Sequence, residues 1–110
     1  MMDESRYLKI ADATFRKISD VFDEIDPDIV EAYFSGDVLT LAFKNGVKAV
    51  LNTQRPTRQV WLAANARAWH FGYDEQNELW MDDKGRGEEL FATLSAIVKE
   101  QAGLVMRFAR

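Results

Sequence analysis

Cysteine is absent from the 110-residue chain. Its absence excludes disulfides, thiolate zinc sites, cysteine-held iron–sulfur clusters and a cysteine nucleophile. Histidine occurs once, at His70, so no second imidazole can complete a transition-metal site. Two prolines and six glycines stand against 47% hydrophobic residues, Trp61, Trp69 and Trp80 among them, and this rules out disordered, collagenous and low-complexity classes. The longest stretch without a charge, Leu90 to Val98, is nine residues, where a membrane-spanning helix needs about 20. Met1 to Arg6 are acidic where a secretory leader is basic and then apolar. A soluble, cytoplasmic chain with one core and a single domain over residues 1–110 is the expectation.

The net charge of −4 is segregated. Residues 1–37 hold ten acids and four bases, whereas residues 38–110 hold eight acids and ten bases. Between Ile18 and Phe43 there are seven acids and no lysine or arginine, so any positive partner for them must come from elsewhere in the fold or from outside it. Such a surface disfavours nucleic acid, whose phosphates seek the opposite sign.

Tyr7, Ala11, Phe15, Ile18, Phe22 and Ile25 recur at spacings of three and four, predicting an amphipathic helix from about Asp3 that Asp26-Pro27 ends. At about 100° per residue, Asp12, Asp20, Asp23 and Glu24 lie on its opposite side. Period-two segments follow at Ile29 to Ser35, Val38 to Lys44 and Val47 to Asn52, joined by Gly36-Asp37 and by the hairpin signal Asn45-Gly46. Further strands are expected at Gln59 to Ala63, Ala68 to Tyr73 and Leu79 to Asp82. Gly85 and Gly87 then turn the chain into a second helix, Glu88 to about Gln101, with Gly103 as its stop. The fold class is α+β, a two-layer sandwich with two helices on one face of a mainly antiparallel sheet of about six strands. Alternation turns Val30, Ala32, Phe34, Leu39, Leu41, Phe43, Val47, Ala49, Leu51, Val60, Leu62, Trp69 and Phe71 inward. It turns Glu31, Tyr33, Thr40, Lys48, Asn52, Gln59, Trp61 and His70 to the open face. The apolar tail from Leu104 to Phe108 is expected to pack across the helices.

The acids of the first helix carry the main chemical signal. Asp20 lies three residues from Asp23 and four from Glu24, and each such like-charge pair costs about 0.2–0.5 kcal/mol on a helix. They occupy the last turn, where the helix dipole prefers cations. A solvated face that aids solubility explains the pattern without a ligand; a cation or a basic protein surface explains why the repulsion is kept. Glu24 to Asp28 imitates the opening of a calcium loop, but Ile29 and Ser35 stand where that loop needs Gly and Glu. Carboxylates on an open ridge retain water and bind several di- and trivalent ions modestly, so the residues alone do not name the ion. Gly85-Arg86-Gly87 lacks the pattern of a phosphate loop, and no spacing predicts a catalytic triad. Trp61, an aromatic displayed beside amides, has the character of a protein-binding hot spot.

Asn52, Gln54, Pro56, Gln59, Val60, Trp61, Leu62 and Ala63 reproduce an Asn-x-Gln-x-Pro-x-x-Gln-aliphatic-Trp-aliphatic-small pattern that resembles the signature of the frataxin family. The acidic helix, the segment Ser35 to Leu41, the strand Trp69-His70-Phe71 and the ending Gln101-Ala102-Gly103 extend the likeness over nearly the whole chain. Its length resembles the bacterial members, known as CyaY. Ser19, where bacterial relatives often carry another acid, and Pro27 are departures that bear on how many ions bind.

This resemblance implies the helix–sheet–helix sandwich and a non-enzymatic role in iron–sulfur cluster assembly, with no catalytic residues. The metal ridge it implies comprises Asp20, Asp23, Glu24, Asp26, Asp28 and Glu31, with Asp12 at its margin, binding ferrous or ferric iron weakly. The implied partner is the cysteine desulfurase, met by Trp61, Gln59 and Asn52 together with Asp20, Asp23 and Glu24. A monomer is implied, with iron-driven oligomers left open, as is the role of His70. The alternative is a pure interaction module that adjusts the desulfurase while metal binding is incidental.

Overall fold

The computed structural model describes residues 2–108. Helix α1 spans Glu4–Asp23, and Asp3 caps it by accepting the Arg6 N–H at 2.8 Å. Tyr7, Ala11, Phe15, Ile18 and Phe22 form its buried stripe. It ends two residues before Ile25 because Asp26 folds the chain into a turn, its carboxylate accepting the Asp28 N–H at 2.9 Å, and Pro27 cannot continue a helix.

Six strands follow: β1 Val30–Ser35, β2 Val38–Phe43, β3 Lys48–Gln54, β4 Gln59–Ala64, β5 Arg67–Asp74 and β6 Leu79–Asp82. They pair in sequence order as one antiparallel sheet. Gly36 takes φ +63° in the two-residue β1–β2 turn, a conformation that disfavours any residue with a Cβ. At Asn45-Gly46 the loop is longer than two residues: Phe43 N–H bonds Val47 C=O at 2.9 Å and Gly46 N–H bonds Phe43 C=O at 2.9 Å.

Helix α2 is Leu90–Ala102, beginning two residues later than expected. The reason is that Glu89 serves as its cap, accepting the Phe91 and Ala92 N–H groups, rather than as part of its first turn. Gly103, at φ +69°, ends it with a bond to Lys99 C=O. The tail crosses the helices as expected: Phe108 stacks on Phe91 with centroids 5.2 Å apart and tilts against Phe22 at 6.1 Å.

Two side chains depart from the alternation. Phe34, expected in the core, is 45% exposed, because β1 is an edge strand with no neighbour beyond it and Phe34 opens onto a cavity between the strand and α1. Thr40, expected on the open face, is 8% exposed, since β2 lies inside the sheet with neighbours on both sides. The remaining inward residues of β2 to β5 meet one cluster with the helix stripes.

Beyond β6 the chain is held by Asp82, whose side chain is buried. It accepts the N–H groups of Lys84 at 2.9 Å and Glu88 at 3.0 Å and the Arg86 Nε–H at 3.3 Å. Burial pushes its pKa up, but these donors outweigh burial and hold it below the usual carboxylate range. A depressed folded-state pKa adds stability that is present above the unfolded value of about 3.9 and is lost as pH falls through the folded one. Asp82→Asn is therefore expected to lower the urea midpoint at pH 7 and to narrow its gap to the parent below pH 4. A constant gap across that range would contradict this role.

An acidic strip and an aromatic face

Asp20, Asp23, Glu24, Asp26, Asp28 and Glu31 are all exposed. They run from the last turn of α1 through the turn beyond it onto β1. Among the described residues, none of the six lies in an ion pair. The nearest bases in sequence are engaged: Arg16 bonds Asp12 at 2.9 Å, and Lys17 Nζ sits 5.9 Å from the centre of the Phe91 ring. The ion-paired arginines of the C-terminal half lie elsewhere, Arg67 on Glu100 and Arg86 on Asp82. Asp12 thus differs from the rest of the ridge in being ion-paired, and its carboxylate holds the Arg16 guanidinium above its usual pKa. Among the described residues no three carboxylates or imidazoles converge into a closed ligand set. What the strip offers is a row of hard oxygen donors, each leaving most of a cation's coordination sphere to water.

The second feature lies on the opposite layer. Val60 and Leu62 are buried, so Trp61 between them faces out from the sheet, half-buried. Its cross-strand partners are Asn52 on β3 and His70 on β5. The Trp61 and His70 rings stack at 4.1 Å with 15° between their planes. Trp61 Nε1–H donates to Gln59 Oε1 at 3.0 Å, and Gln59 Nε2–H donates to Asp83 Oδ2 at 3.0 Å. Asp83 Oδ2 also stands 3.7 Å from His70 Nδ1. The three expected partner residues are thus brought together, with His70 and Asp83 as supports that the pattern of residues did not mark. Trp61 is held in one orientation by a stack and a hydrogen bond, which lowers the entropy cost of presenting it.

The acidic strip and Trp61 do not make one flat patch. α1 packs against the buried face of the sheet, Trp61 faces away from it, and of the strip only Glu31 shares its face. A partner that meets both must wrap around the β1 edge.

Tyr7 connects the layers. Its hydroxyl donates to Gln59 C=O and accepts the Gln54 N–H at 3.1 Å, clasping both ends of the Arg55–Thr57 turn. Burial pushes the Tyr7 pKa up. The Arg55–Thr57 turn thus brings two backbone groups, one from Gln54 and one from Gln59, to a single phenol.

Two helices on one face of a six-strand antiparallel meander, with acids on the first helix and a tryptophan on the open face, define a frataxin-like sandwich. The model of the frataxin-like domain matches residues 1–104. An iron–sulfur cluster assembly protein CyaY from Pseudomonas fluorescens Pf0-1 is 43% identical over 107 residues, covering 97% of this chain and 96% of that one. The solved frataxin of Psychromonas ingrahamii superposes with a TM-score of 0.88 at 33% identity, covering 99% and 100% of the two chains. Trimeric frataxin from Saccharomyces cerevisiae, complexed with ferrous iron, superposes at 0.72 with 25% identity, covering 94% and 89%. The chain belongs to the bacterial frataxin, or CyaY, family.

Proposed function

We propose that this protein is a non-enzymatic, iron-binding member of the iron–sulfur cluster assembly machinery that docks on the cysteine desulfurase. The observation that carries the reading is the strip from Asp20 to Glu31, six exposed acids of which none lies in an ion pair among the described residues. Iron is the cargo. Ferrous and ferric ions take carboxylate oxygen, and an open strip with water completing the shell binds them weakly enough to release them. The same negative field steers a basic patch of the desulfurase, and Trp61 anchors the encounter. The likeness to CyaY proteins named for cluster assembly, and to a frataxin solved with ferrous iron, supports both the process and the ion.

A second reading has its own support. Because no three carboxylates converge among the described residues, metal binding could be incidental to a protein that acts only by occupying the desulfurase. Trp61→Ala separates the two sites. Calorimetry with desulfurase is expected to show affinity falling about tenfold or more, as for an interface hot spot, while calorimetry with ferrous iron is unchanged. An unaltered desulfurase affinity would remove Trp61 from the interface.

A further inference from the structure

The two edges of the sheet are treated differently. At β6 the chain folds back, Met81 bridging Glu89 and Asp82 N–H bonding Glu88 C=O at 2.9 Å. β1 ends the sheet on the other side. Ser35 pairs with Val38 across the two-residue turn, so Ser35, Tyr33 and Glu31 exchange hydrogen bonds with β2 while Ala32 and Phe34 direct their N–H and C=O groups outward. Among the described residues those outward groups have no partner in the chain. The register runs without a bulge, and β1 holds neither lysine nor proline, so Glu31 is the one charge that guards this edge.

Two aromatics mark the same edge. Tyr33 is 38% exposed and Phe34 45%, one toward each face of the sheet. Beside Phe34, on the helix side, lies a cavity of about 400 Å³ whose apolar wall is Leu8, Phe15 and Phe34. Of the two arginines lining it, Arg16 is held by Asp12, and Arg55 shares the rim with Asp37. The flanks of the strand are acidic: Asp26 and Asp28 before it, Glu31 on it and Asp37 after it.

We infer that the outer edge of β1 is a strand-addition site for an extended basic peptide segment. Ala32 and Phe34 would supply the ladder bonds, an aliphatic or aromatic side chain of the segment would enter the cavity beside Phe34, and its lysines or arginines would meet Glu31 and the acids flanking β1. A second copy of this chain is the poorer occupant, since its own β1 brings the same negative flanks.

The probe is acetyl-Lys-Val-Lys-Leu-Lys-Val-Lys-amide, titrated into the full chain and followed by amide NMR and hydrogen exchange. Slowed exchange at the Ala32 and Phe34 amides is expected. Methylating the peptide nitrogens of Leu and the lysine after it, which blocks both of the peptide's edges, is expected to weaken binding about tenfold through the lost ladder bonds. Phe34→Ser, an exposed substitution, is expected to weaken binding of the unmethylated peptide. Equal affinity for the methylated peptide, perturbations centred on Trp61, or peptide-independent self-association through β1 would each overturn the inference. The test involves neither iron nor desulfurase, so its failure would leave the proposed function standing.

Discussion

The triple variant Asp20→Ala/Asp23→Ala/Glu24→Ala is expected to melt no lower than the parent while losing its calorimetric response to ferrous iron. Stability and function point in opposite directions at these positions. The three acids crowd the last turn of α1, where like charges at spacings of three and four repel by about 0.2–0.5 kcal/mol per pair. They also face the negative end of the helix dipole, and alanine is the better helix former. No ion pair is lost with them, since the nearby arginine keeps its bond to Asp12. In the same variant, association with desulfurase is expected to slow and to lose most of its salt dependence, because exposed charges act over about 8–10 Å near physiological ionic strength. A variant that unfolds at lower temperature would mean that the acids are structural. One that retains the iron isotherm would move the metal site off the strip.

Tyr7→Ala is expected to cost roughly 3–5 kcal/mol of folding stability, as large-to-small changes of buried aromatics do. Tyr7→Phe isolates the hydroxyl and is expected to cost about 1–3 kcal/mol, because the Gln54 N–H and Gln59 C=O lose their shared partner. Its functional effect distinguishes the hydroxyl from mere packing. Gln59 follows the turn that Tyr7 clasps and also orients Trp61 through Oε1. Tyr7→Phe should therefore weaken desulfurase binding beyond what reduced folding explains, while leaving the iron isotherm intact. Urea unfolding and calorimetry on the folded variant separate the two effects; an unchanged desulfurase affinity would break the link between the turn and the tryptophan.

Much of the fold was legible because its periodicities were local. The 3–4 spacing from Tyr7 to Phe22 and the period of two in β2 to β5 each report a single buried face. Edges and caps were less legible. Phe34 reads as core because alternation says nothing about where a sheet ends, and Glu89 reads as a helical residue because a glutamate cap differs from a first-turn glutamate only in backbone geometry. Asp82 and Tyr7 gave no signal as anchors, since their partners are backbone groups brought close by turns. At the site, the crowding of acids was readable from charge and the open-face placement of Asn52, Gln59 and Trp61 from alternation, whereas their grouping as one surface came from the family resemblance. The stack of His70 on Trp61 depends on cross-strand register, which the spacing of single strands does not encode.

Amide-resolved NMR of the whole chain during titration with ferrous iron bears most directly on whether the exposed acids await an external cation. Paramagnetic broadening should begin at residues 20–31, spare His70 and Asp83, and vanish in the triple alanine variant. Broadening that starts at the aromatic face, or that persists undiminished without those three acids, would contradict the account.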